Sequence, residues 1–373
     1  MAESVEAEAD PSEELPPGGA GCAVALVVVA FAVSTLLAEG LLRLAWHNPY
    51  ANETTDHLIR LEVQHPLRDM ELDRSALDPE NPRARFRTDA RSYILPSRQY
   101  EDPQATVAFL GGSTTANNAV LEELRFPARV STVLAERGLR INTLNAGKSG
   151  ISSQDSINLL FNHVVLDQPD VVVMMHAHND IGRLTGKGEY GARSEGPSDL
   201  RTVARWALQR GSIHSSLVGA LRFWQTTTTL QLQPFERKGK PAESASLPTE
   251  KYVARLKTFV GVCRAFGITP VLMTQPVINV RTPLTPDWTD PRNQEIFNHL
   301  IREVGAEEDV LVIDLVRFFF EEVDGWREPM VVFYDGVHFT DRGSDLAARY
   351  IADRLYEVAL PPVLEGVKPA ASR

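Results

Sequence analysis

Five short apolar runs set the strongest limit on how this chain folds. They are Ala105–Gly111, Ile141–Ala146, Val171–His176, Thr269–Thr274 and Val310–Leu315. Each has strand length; the first closes on Gly111 and Gly112, the second stops at Gly147, and VVVMMH ends at Ala177, His178, Asn179 and Asp180. The continuous β-branched and apolar character of Val171–His176 belongs to a strand buried on both faces. Between and after the runs lie stretches with helical spacing: Pro127–Gly138, Ser152–Val165, Thr249–Phe266, Pro291–Val304 and Thr340–Val358. In Thr249–Phe266 the residues Tyr252, Leu256, Phe259, Val260 and Cys263 mark one face, and Gly267 stops it. Strand alternating with helix predicts an α/β chain, a flavodoxin-like α/β/α three-layer sandwich around a parallel sheet of about five strands with right-handed crossovers. In such sheets ligands bind outside the carboxyl ends of the strands.

The first run ends in Gly111, Gly112, Ser113, Thr114 and Thr115. A buried strand closed by two glycines places Ser113 on an exposed turn, and the residues from Thr114 towards Leu124 are expected to begin a helix. The Ser113 hydroxyl and N–H then lie near a helix N-terminus, where negative charge is favoured. The same five residues also read as an ordinary turn followed by N-cap residues, so the rest of the chain has to decide.

Upstream, residues 1–19 carry six carboxylates and three prolines with no basic side chain, the composition of a disordered tail. Residues 20–38 carry no charge, enough length for a bilayer span, and the span is read as 20–46 with Arg43 snorkelling and Trp46 at the interface. A cleaved signal peptide and an apolar core helix are the other readings; the acidic start lacks the basic region of a signal peptide. Arg43 alone leans towards a cytoplasmic catalytic domain by the positive-inside rule. Residues 47–104 read as a linker and edge elaboration with little regular structure, 183–247 as an insertion that is either a lid or a packing subdomain, and 361–373 as a tail. The two cysteines, Cys22 and Cys263, fall in different parts of the chain and do not predict a disulfide. A formal charge of −11 and a pI near 5.4 argue against a nucleic-acid partner.

Ser113, Gly147, Asn179 and the loop after Thr274 all follow strands, so the topology brings them to one rim. A serine hydroxyl is a weak nucleophile until an imidazole takes its proton, and a carboxylate must hold that imidazole in the right tautomer. Asp335 and His338, in DGVH before the last helix, supply both from one short segment. FLGGSTT, NAGKSG, HAHND and YDGVHFTDRG, in this order, resemble the four motif blocks of the SGNH (GDSL-type) hydrolases, with similarity from about residue 105 to 360 outside the insertion. The resemblance implies Ser113 as nucleophile, His338 as general base and acid, Asp335 as the group orienting the imidazole, and an oxyanion hole from the N–H groups of Ser113 and Gly147 and the Asn179 side-chain amide. It implies no cofactor or metal. Two positions depart from the pattern: the family's Asp before the serine is Gly112, and the Gly two before the Asn is Ala177.

Rival chemistry is thin. His176, His178 and Asp180 suggest a metal site, yet an HxHxDH pattern needs a histidine where Ile181 stands, and His163, His214 and His299 show no ligand spacing. AGKS resembles the end of a phosphate-binding loop, but Asn142 replaces the earlier glycine. The expected activity is therefore esterase action on small or carbohydrate-linked acyl groups. Acyl transfer to a glycan, or a non-catalytic polysaccharide-binding role, is the alternative. Anchored relatives of this type commonly carry the catalytic domain outside the cytoplasm, against the lean of Arg43.

Overall fold

The structure is a computed structural model that describes residues 19–46, 48, 63–190, 211–212, 214–227, 230–231, 247–278, 291–323 and 329–366. All five expected runs are strands: β3 (Ala105–Gly111), β4 (Ile141–Asn145), β5 (Val171–Met175), β7 (Thr269–Met273) and β8 (Leu311–Ile313). They pair in the order β4-β3-β5-β7-β8, and every pairing is parallel. Counted along the chain this is 2-1-3-4-5, the doubly wound order of the flavodoxin-like sheet.

Successive side chains of a strand point to opposite faces, and the core divides accordingly. Val107, Phe109, Val173, Met175, Val271 and Ile313 face one cluster with Phe126, Val130, Ala348 and Ile351, from helices Phe126–Ala135 and Asp341–Arg354. Ala108, Leu110, Val172, Met174 and Leu272 face the other, filled by Leu160, Tyr252, Phe259 and Ile301 from helices Ser153–Asn162, Thr249–Ala265 and Pro291–Glu307. The inward stripe read for Thr249–Phe266 is the buried one, including the free thiol of Cys263.

Two expectations need correction. Residues 47–104 are not irregular throughout. β1 (Asp69–Asp73) and β2 (Arg83–Arg87) form an antiparallel pair, joined in parallel by β6 (Leu230–Gln231) from the far side of the insertion. Met70 and Phe86 turn inward against Ile94 and Ala116, while Asp69 and Arg85 pair on the outer face. Nor does a helix run from Thr114 to Leu124. One turn, Ser113–Ala116, ends at Asn117 in the left-handed region (φ 53°), and Glu122–Leu124 is a separate 3-10 turn. Asn117 is buried with its amide donating to Ser344 Oγ at 2.6 Å and its carbonyl accepting from Arg125, which holds the chain out of a helical continuation.

Helix Gly19–Ala45 contains a stretch, Val24–Ala45, of mean hydropathy 2.3 with none of its residues buried. Its length and composition fit a membrane span or a signal sequence. Near its end Glu39 accepts hydrogen bonds from the N–H groups of Ser216 and Leu217, at the start of helix Ser216–Thr227 in the insertion. The acidic residues through 18, residues 191–210 and 232–246 of the insertion, and the tail from 367 lie outside the described residues.

Candidate active site

The carboxyl ends of β3, β5 and β7 and the DGVH loop meet at one rim. Ser113 Oγ lies 2.7 Å from His338 Nε2, and His338 Nδ1 lies 2.7 Å from Asp335 Oδ2. Because Nδ1–H donates to the carboxylate, Nε2 is left as the acceptor of the serine O–H. Asp335 is itself held: its Oδ1 accepts from the N–H groups of Val337 and His338, each at 2.7 Å. Burial alone raises the Asp335 carboxyl, but the His338 hydrogen bond and charge, with these two N–H groups, outweigh it and hold the carboxyl below its ordinary range. The Tyr334 ring stacks on the imidazole at 11° with centroids 5.5 Å apart, and Gly336 O accepts from Ile278 N after β7.

The three residues implied for an oxyanion hole do not fare alike. Ser113 N–H opens a helical turn, where the first N–H groups have no partner inside the helix. Asn179 donates one amide hydrogen to Ile151 O at 2.7 Å, and an amide has two to give. A Cβ on residue 112 would fall 2.5 Å from Asn179 Nδ2, so the glycine that departs from the family pattern leaves room for this amide in its present position. Gly147 N–H already has a partner in the resting structure. It donates to Asn145 Oδ1 at 3.0 Å, an Asx turn two residues long, while Asn145 Nδ2 donates to Thr115 O at 3.1 Å. Gly147 is also needed for contact: an added Cβ would lie 2.5 Å from Ala116 N and 2.8 Å from Thr115 C, behind the serine turn. The other departure, Ala177, has φ −164° and ψ −55° at the start of helix His178–Lys187, and its N–H meets Gln275 Oε1.

The HAHND segment reads differently in three dimensions. His176 is interior, its Nε2 2.7 Å from Ser156 Oγ, and Asp180 accepts from Ser153 and from the Tyr190 hydroxyl. Among the described residues no group of three His, Cys, Asp or Glu side chains could hold a metal ion. Burial lowers the His176 imidazole, and it pushes His178 down to about 3, where the neighbouring His338 also disfavours charge and Asp335 opposes the shift.

His178 therefore stays neutral in the folded protein while the unfolded chain takes up protons below pH 6.5, and the His176 shift acts with the same sign. With the folded pKa lowered, the stabilisation is complete above the unfolded value and is lost as pH falls towards the folded one. The denaturant midpoint is expected to be level above pH 7 and to fall from pH 6.5 to 5, above the carboxylate range. His178 contributes about 2 kcal/mol of that loss by pH 5. A midpoint constant or rising over that window would contradict the assignment.

Sequence reasoning missed three residues that shape the rim. Asn145 carried a local signal, an Asn two positions before a glycine at a strand end. Arg74 from the β1–β2 connection reaches Asp341 with both terminal nitrogens, at 2.9 and 2.6 Å, at the start of the helix that follows His338. Gln275 spans the Ser113 and Asn179 segments.

No curated protein matches the chain. Among solved structures it is similar to the lipase/acylhydrolase from Enterococcus faecalis, at 18% identity over 68% of this chain and 96% of that one, TM-score 0.43. It is also similar to Axe2, an acetylxylan esterase from Geobacillus stearothermophilus, at 18% identity over 67% and 94%, TM-score 0.42. A third is LAE5, an alpha/beta hydrolase enzyme from the metagenome of Lake Arreo, Spain, at 16% identity over 71% and 97%, TM-score 0.41. The GDSL-like Lipase/Acylhydrolase family matches residues 109–346, from the end of β3 through the DGVH loop into the helix beyond it, and the chain belongs to that family.

Proposed function

We propose that the chain is a serine esterase that works through an acyl-enzyme on Ser113. The observation that carries this reading is the continuous relay from Ser113 Oγ through the His338 ring to Asp335, with both links at 2.7 Å. His338 Nε2 takes the hydroxyl proton as Ser113 attacks the ester carbonyl, and gives it to the departing alcohol. The Asp335 carboxylate steadies the imidazolium between these steps. Negative charge on the carbonyl oxygen is met by Ser113 N–H and the Asn179 amide, with Gly147 N–H joining them once it leaves Asn145 Oδ1. Water activated by the same imidazole then releases the acid.

The substrates in this reading are small or carbohydrate-linked acyl esters, and no metal or cofactor takes part in the relay. The test is p-nitrophenyl acetate turnover by the full chain in detergent, with Ser113→Ala as the control; equal rates in the two proteins would remove the proposal.

The apolar helix Gly19–Ala45 motivates a second reading, in which the chain is anchored and passes the acyl group to a glycan hydroxyl instead of water. The partition of an acyl-enzyme depends on which acceptor reaches it, so a transferase forms acylated product only when an acceptor glycan is supplied. The anchored domain lies outside the cytoplasm in either case. Protease treatment of intact cells is expected to remove it, and full protection until lysis would place it inside.

A further inference from the structure

Gln275 is the second residue past β7, 6% exposed, and its side-chain amide is turned towards the site. Its Oε1 accepts from the N–H groups of Ala177 and His178, each at 3.0 Å, where helix His178–Lys187 begins. Its Nε2 donates to Thr114 Oγ1 at 2.9 Å, on the residue after Ser113. The backbone beneath is fixed as firmly. Gln275 N–H donates to Asn298 Oδ1 at 2.9 Å, and its carbonyl accepts from Asn298 Nδ2 at 3.0 Å and Gln294 Nε2 at 2.9 Å.

One planar amide thus ties the turn that carries the nucleophile to the helix start that carries Asn179. Its span from Oε1 to Nε2 is covalent, so it holds two segments that are far apart in the chain at a set separation. We propose that Gln275 is a positioning residue for the Ser113 site, setting the distance between the serine Oγ and the Asn179 amide. Its side-chain hydrogen bonds go to Thr114 and to the N–H groups of Ala177 and His178, not to Ser113, His338 or Asp335, so it acts through those neighbours. This inference rests on the esterase reading. An oxyanion donor works by aim, since it must meet charge that exists only in the transition state, and small misplacements of a reacting pair cost large factors in rate. Loss of the tie is therefore expected in kcat and not in KM.

The experiment compares Gln275→Leu, Thr114→Val, Thr114→Ser and the Gln275→Leu/Thr114→Val double variant, as full chains in detergent, with p-nitrophenyl acetate. Thr114→Val removes only the arm towards Ser113 and keeps the shape of the side chain; Thr114→Ser restores the hydroxyl. The expected result is a fall in kcat of about 10- to 100-fold in Gln275→Leu and Thr114→Val at near-constant KM. Recovery is expected in Thr114→Ser, with a double variant no slower than the slower single one. If Gln275→Leu does not fold, the Thr114 pair carries the test unaided. A kcat for Thr114→Val within threefold of the wild type, while Ser113→Ala is inactive, overturns the role of Gln275 and leaves the esterase reading standing. Equal rates for the wild type and Ser113→Ala overturn the esterase reading itself.

Discussion

Ser113→Ala is expected to lower kcat/KM for p-nitrophenyl acetate by about 10⁴ or more, some 5.5 kcal/mol of transition-state stabilisation. The alanine leaves the oxyanion donors and the imidazole in place but closes the acyl-enzyme route, so the remaining rate reflects donor stabilisation and binding alone. His338→Ala is expected to cost about as much, because the hydroxyl 2.7 Å from Nε2 is a poor nucleophile without a proton acceptor. The double variant should be hardly slower than either single one, since the two groups act as one unit. A Ser113→Ala enzyme that keeps more than a tenth of the wild-type rate, free of contaminating esterase, would show that the relay is not the source of activity.

Asp335→Asn is expected to cost about 10⁴ in kcat even though the substitution is nearly isosteric. The reason lies in the two backbone donors that converge on Asp335 Oδ1, from Val337 and His338. They require an acceptor, so an asparagine must turn its amide oxygen to them and its NH₂ to His338 Nδ1. Nδ1 then has to accept, the ring proton moves to Nε2, and Nε2 no longer takes the Ser113 hydroxyl proton. The variant should fold and bind substrate with little change in KM. A kcat above a tenth of the wild-type value would mean that the carboxylate does not set the tautomer.

How far the site was legible in the sequence depended on how local each signal is. The strands of the main sheet show as apolar runs, and DGVH places Asp335 and His338 three residues apart in one loop, so the relay could be read before its geometry was known. β1 and β2 were passed over although DMELD and RARFR alternate, because five residues with charge at every outward position resemble a linker. The single turn at Ser113–Ala116 was over-extended because what stops it, Asn117 on Ser344, comes from 227 positions away. Gln275 was invisible for the same reason: its partners Thr114 and Ala177 are 161 and 98 positions distant. Gly147 was assigned a donor role by resemblance, while the Asn145 side chain two residues earlier takes that N–H. The insertion's polar composition fixed neither period, and most of it lies outside the described residues.

The clasp between Arg74 and Asp341 bears on where the cooperative unit starts. The family match begins at 109, yet Arg74 grips the first turn of the helix behind His338, and Met70 and Phe86 close over Ala116 behind Ser113. Residues some forty positions ahead of the recognisable hydrolase are thus part of the wall at its back, and a truncation made at the edge of the match would cut through the molecule's own interior.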